Sequence, residues 1–189
     1  MKKILIFTLT IVLAFSLSPM AKESSCIKCH LSKEQVSETS FAAAFMAGDI
    51  HRSMGLDCSD CHGGDPKIGF VEKDMSISMD EAKGYKSPPD KASIPEFCAR
   101  CHSDIEYMKK YNPRLPADQL QLYKTSIHGK LLFGSKDMKV AVCTDCHGAH
   151  GILPASDSRS SVYHNTVPLT CKKCHSDASY MKGSFSNNL

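Results

Sequence analysis

All ten cysteines of this 189-residue chain fall into one pentad, Cys-x-x-Cys-His, repeated five times: CIKCH at 26–30, CSDCH at 58–62, CARCH at 98–102, CTDCH at 143–147 and CKKCH at 171–175. The pentad is the attachment sequence for c-type haem, in which the two thiols form thioethers with the porphyrin vinyl groups and the adjacent imidazole ligates the iron. Cys-x-x-Cys alone also serves zinc sites, redox dithiols and disulfides, but none of these requires a histidine directly after the second cysteine. Five pentads of five, drawn from nine histidines, set those uses aside. The expectation is five covalent haem c groups, held by Cys26 and Cys29, Cys58 and Cys61, Cys98 and Cys101, Cys143 and Cys146, and Cys171 and Cys174. The proximal iron ligands are then His30, His62, His102, His147 and His175.

That cofactor load decides the fold class. Lys2 and Lys3, the apolar run Ile4 to Leu17 and the small or polar residues up to Ala21 read as a secretory signal peptide over 1–21. Its apolar core is shorter than a spanning helix needs, so a membrane association is expected only if this leader is retained. Cleavage leaves about 168 residues, roughly 34 per pentad, which is short for a core built from side chains alone. The chain is therefore expected to be mostly α with extensive loops, a small multihaem cytochrome c whose stacked, covalently bound haems form the core. The formal charge of +3 falls to +1 without Lys2 and Lys3, and ionised propionates make the assembled protein slightly acidic. Nothing in that balance points to nucleic acid as a partner.

Comparing the flanks of the pentads reveals an internal repeat. PEFCARCHSDIEYM at 95–108 matches PLTCKKCHSDASYM at 168–181, and CSDCHGGDPKIG at 58–69 matches CTDCHGAHGILP at 143–154. The single domain, 22–189, thus consists of a leading haem and two related two-haem units, 58–108 and 143–181. Alanine-rich 34–54 is expected to be helical with Phe41, Phe45 and Met46 inward, and a second helix is expected from Pro116 to Leu132. Short helices should follow the pentads at 103–110 and 176–182, the latter closed by Gly183. No strand pattern is present.

Four histidines remain for the sixth positions of five irons: His51, His128, His150 and His164. A pair of neutral imidazoles gives an iron whose geometry changes little with oxidation state, which favours electron transfer over ligand chemistry. The repeat shows where histidines are missing: His150 has Asp65 as its counterpart, and His164 has Lys91. For the fifth haem the sequence leaves three options open: a methionine (Met46, Met54, Met75 or Met79), a polar side chain such as Lys91, or an open site. Tyr107, Tyr111, Tyr163 and Tyr180 are expected to pack against haem.

In the order and spacing of CIKCH, His51, CSDCHG, CARCH, His128, CTDCHGAH and CKKCH the chain resembles the periplasmic pentahaem carriers that donate to cytochrome c nitrite reductase, and their relatives, the decahaem conduits of extracellular respiration. The resemblance implies haems in a row, each with two axial histidines, attached outside the cytoplasm. It further implies a periplasmic electron carrier between a quinol dehydrogenase and a terminal reductase or outer-membrane conduit in anaerobic respiration. The departure is Asp65, where the family pattern has a histidine. Two other functions compete: an oxidoreductase acting on a small nitrogen or sulfur species at one open haem, near Arg52, Arg100 or Tyr107, and a subunit of a haem filament. All five pentads end in His, so none carries the lysine that marks the nitrite reductases.

Overall fold

The computed structural model describes residues 24–32, 40–68 and 74–182. The expected leader, the start of the expected 34–54 helix and Gly183 lie outside the described residues. Within them the chain is helical and loop-rich, with no strand, and no helix is long and apolar enough to cross a membrane.

Every pentad ends a helix. Helices α1 (Ser25–His30), α4 (Cys58–His62), α5 (Ile94–His102), α9 (Cys143–His147) and α10 (Val167–His175) all terminate on the pentad histidine. The sequence repeat is a repeat of caps. In CSDCH and CTDCH the aspartate turns back on its own helix, Asp60 accepting from the Asp57 amide at 2.6 Å and Asp145 from the Val142 amide at 2.8 Å. The longer helices α5 and α10 instead start on Pro95 and Pro168, where the missing N–H costs nothing. In both His-Ser-Asp sequences the aspartate caps a following short helix. Asp104 accepts from Tyr107 at the start of α6 (Ile105–Lys109), and Asp177 from Ser179 and Tyr180 at the start of α11 (Ala178–Met181).

The two helices expected between pentads are each broken. The described part of the first stops at Gly48, whose φ is +155°, giving α2 (Ser40–Gly48), and restarts as α3 (Ile50–Ser53) with Asp49 as its cap. Phe45 is buried and Phe41 half-buried as expected, but Met46 is exposed, because a nine-residue α2 turns only a narrow face to its neighbours. The second becomes α7 (Gln119–Thr125) and α8 (Ile127–Lys130), followed by a wider turn over Leu131–Ser135. Ser126 separates α7 from α8, its extended backbone placing Oγ to accept from the Gly129 amide at 3.1 Å. Gly129 has no alternative residue here, since a Cβ would stand 1.9 Å from the Tyr123 carbonyl oxygen.

The side-chain core is small. Leu132, Val140 and Val142 form one buried cluster, flanked by Tyr123, Leu131 and Phe133, and the other buried apolar side chains among the described residues are scattered: Ile27, Ala42, Phe45, Pro95 and Met108. Ile105, Leu122, Ile127 and Leu169 are more than half exposed. Backbone contacts between distant segments instead hold the frame: Ser25 donates its amide and hydroxyl to Pro66, Ile50 donates to Ile152, and Lys86 donates to His62.

Candidate functional site

A helical turn is the conformation that makes Cys-x-x-Cys-His useful. Residues i, i+3 and i+4 lie on one face, so both thiols and the imidazole of each pentad face the same way. No disulfide joins any of the ten cysteines, and all but the exposed Cys171 are partly buried.

The thiols of successive pentads are neighbours. Burial, then Asp57 and Cys26, push the Cys58 thiol up to about 12. Cys61 is raised by burial and then by Cys101, and Cys146 by burial and then by Cys171. Cys98 and Cys143 share a hydrogen bond that raises the first and brings the second down to about 7. The attachment points therefore follow one another in space in chain order, from α1 through α4, α5 and α9 to α10.

The imidazoles also pair. His62 and His150 have ring centroids 6.3 Å apart, His51 and His102 5.9 Å, and His128 and His175 6.0 Å. Two imidazoles opposed across one iron, each with a metal–nitrogen bond of about 2 Å and a ring centre roughly 1 Å beyond, sit about 6 Å apart. Their interplanar angles of 26°, 81° and 47° are all compatible with such a pair, because each ring is free to rotate about its own metal–nitrogen axis. Each pair joins a pentad histidine to one of the four additional histidines. Burial lowers the pKa of His30, His62, His102, His128, His147 and His150, which favours the neutral form with a lone pair to give.

Asp49 organises two of these pairs and was not legible as a site residue. It is 1% exposed. Its Oδ1 accepts from the His51 amide at 2.8 Å and from His51 Nδ1 at 3.0 Å, while Oδ2 accepts from the Ile152 amide at 2.9 Å. A carboxylate only accepts, so Nδ1 of His51 carries the proton and Nε2 keeps the free lone pair. Burial pushes the Asp49 carboxyl up, but the hydrogen bonds from His51 and Ile152 outweigh it and hold the group below its ordinary value. The same carboxylate thus fixes His51 and pins the loop that carries His150. A sequence cue existed: Asp49-Ile50-His51 and Ser126-Ile127-His128 both place a helix-capping residue two before a histidine.

The remaining candidates divide. Ser161 donates to the Cys146 carbonyl inside the fourth pentad, which holds the segment carrying His164 beside α9, and Tyr163 packs on His164 at 4.1 Å. Lys91 is ion-paired with Asp145 at 3.4 Å. Arg100 stacks on Phe97 and donates to the Cys61 carbonyl at 2.8 Å, a structural use. Arg52 lies over Phe45 at 6.0 Å. Tyr107 and Tyr111 pack on each other, and Tyr180 donates its hydroxyl to the Lys139 carbonyl. Among the methionines, Met46, Met54 and Met79 are exposed.

These residues fit covalently held haem. Thiol pairs and an imidazole share one face of each pentad helix, three of those imidazoles meet a second at the opposed-ligand spacing, and the apolar core is too thin for the chain it serves. Comparison with known proteins agrees. A family model described as cytochrome c3 matches residues 50–176. The multiheme cytochrome MtrA of Shewanella baltica is 29% identical over 184 aligned residues, which cover 81% of this chain and 52% of the relative, so the chain spans about half that protein's length. No solved structure matches.

Proposed function

Because the chain belongs to the cytochrome c3 family, and is a multihaem c-type cytochrome that carries electrons rather than an enzyme, we propose that it holds five haem c groups in one row and relays electrons along it. The observation that carries this reading is the order of the pentad helices, each tied to the next: Ser25 of α1 to Pro66 just after α4, Arg100 of α5 to the Cys61 carbonyl of α4, Cys98 of α5 to Cys143 of α9, and Thr170 of α10 to Ser161, itself bonded to the Cys146 carbonyl of α9. Haem c, when bound, supplies a one-electron couple at its iron with little change in geometry. The polypeptide fixes the spacing of the attachment points, supplies the axial imidazoles and sets the burial and hydrogen bonding around them. In this reading His62 is opposed by His150, His102 by His51, His175 by His128, and His147 by His164. The repeat supports it: His51 and His128 follow matching caps, and each serves the second pentad of its own unit.

The two units and the leading pentad form one domain over 22–189, and the 1–21 leader directs it to the periplasm. Its partners there are redox proteins: a quinol-oxidising membrane dehydrogenase on one side, and a terminal reductase or outer-membrane conduit on the other. The kinship with a multiheme cytochrome twice as long supports a place in such a chain of carriers. Contacts with these partners are expected to be small and transient, formed at the ends of the row.

The pairing has a direct test. Exchanging an axial imidazole for a thioether raises the potential of that haem alone. His128→Met is therefore expected to shift one midpoint of five upward by on the order of 100 mV in a redox titration. An unchanged titration curve would detach His128 from any iron.

A further inference from the structure

Resting on the five-haem reading, four additional histidines leave one proximal ring without an opposing imidazole. We propose that this ring is His30, so that the leading haem, at the end of the row, has an open sixth position that binds small anions able to ligate ferric iron.

Three observations locate the gap. First, His62, His102 and His175 each face a second imidazole at about 6 Å, the spacing two metal-bound rings adopt, which leaves His30 and His147, and the ring against His30 is Phe41, edge-on at 5.1 Å and lying between it and His150 at 5.6 Å. Phenylalanine has no donor atom. Second, the loops after α4 and α9 each dock on the segment that precedes an earlier pentad. The loop after α9 bonds through Ile152 to Asp49 and Ile50, in the segment leading to α4, and delivers His150 to His62 of α4. The loop after α4 bonds through Pro66 to Ser25, immediately before Cys26 of α1. By the same step, the residue it would deliver to His30 is the one equivalent to His150, which is Asp65. That carboxylate is turned into its own loop, with Oδ1 accepting from the Lys67 and Ile68 amides at 2.9 and 3.2 Å. Third, the one additional histidine outside the three pairs, His164, is held at α9 by the Ser161 bond to Cys146. Lys91, another substitute weighed for the missing ligand, is engaged with Asp145.

The loop after α4 has little freedom to reach α1 differently. Gly63 and Gly64 both adopt left-handed φ, and a Cβ on either would stand 2.0 Å from the Gly84 oxygen or 2.3 Å from that of Ser78. Asp65 in turn donates its amide to Ser78, whose hydroxyl meets that of Ser25 at 3.0 Å. The loop at position 65 is thus tied to Ser25, at the start of α1, through two separate contacts.

The test is electron paramagnetic resonance of the oxidised holoprotein, before and after adding potassium cyanide, with haem per chain measured separately. The expected spectrum contains a high-spin component equal to one haem per chain, and cyanide converts it to low spin. In Asp65→His, an imidazole at the position equivalent to His150 is expected to abolish both the high-spin component and the cyanide response. A Cys26→Ser, Cys29→Ser variant, which lacks the leading haem, is expected to lose both as well while retaining four haems. A five-haem wild type that is wholly low-spin and indifferent to cyanide overturns the proposal, as does persistence of the high-spin component in either variant. A wild-type haem count below five overturns it by removing the five-haem reading beneath it.

Discussion

Made without haem attachment, the full chain is expected to show weak helical circular dichroism and no sigmoidal thermal transition, while the holoprotein shows both a strong helical signal and a cooperative melt. No described helix exceeds nine residues, and isolated helices below about 12–15 residues are marginal in water even with ideal sequences. Tertiary packing must therefore stabilise them, yet among the described residues the buried apolar side chains are Leu132, Val140 and Val142 in one cluster and a few scattered others. Even generous burial of such residues, at about 2 kcal/mol each, falls far short of a conformational entropy cost of order 1–2 kcal/mol for every ordered residue. Covalently held porphyrins would supply the missing apolar surface. A chain produced in a host lacking haem-attachment machinery, compared with the holoprotein in the same buffer, makes the measurement. A cooperative transition in the haem-free chain would refute a haem-built core.

The second large effect is expected at Asp49. Replacing it with alanine removes the α3 cap and leaves the Ile152 amide and the His51 imidazole without their buried acceptor, a loss of about 2–4 kcal/mol. Stability alone would not distinguish Asp49 from any buried carboxylate. Its position predicts more: the carboxylate anchors the loop bearing His150 and, with His51 as an iron ligand, would make that ligand more electron-rich. Asp49→Ala is accordingly expected to raise the midpoints of two haems together, those of His102 and His62, and to alter two low-spin signals in the electron paramagnetic resonance spectrum. Asp49→Asn keeps an acceptor but not the charge, and should restore part of the stability with less of the potential. A variant that melts earlier while all potentials stay in place would reduce Asp49 to a structural role.

How far the sequence could be read depended on the range of the interaction concerned. The pentads, the prolines before Phe97 and Leu169, and the aspartates of His-Ser-Asp act within one or two helical turns, and the structure has the corresponding helix ends and caps. The breaks at Asp49 and Ser126 were equally local but were lost in a window average, because propensity is summed over residues whereas a cap depends on one side chain reaching one amide. Met46 points outward for a related reason, since α2 is much shorter than the 34–54 helix whose inner face would include it. The pairing of histidines was out of reach. His51 meets His102 about 50 positions later and His62 meets His150 nearly 90 later, and only the docking of loops on distant segments decides such pairs. Asp65, by contrast, stood out in the sequence as a departure from the repeat.

Coulometric reduction of the oxidised holoprotein, followed through its visible absorption, tests the central claim most directly. Five haems joined in one row predict five electrons per polypeptide, taken up over a spread of potentials and returned reversibly on reoxidation, with every haem reached from a donor that touches the protein surface only transiently. Fewer than five electrons per chain, or a fraction of haem that such a donor cannot reduce, would contradict it.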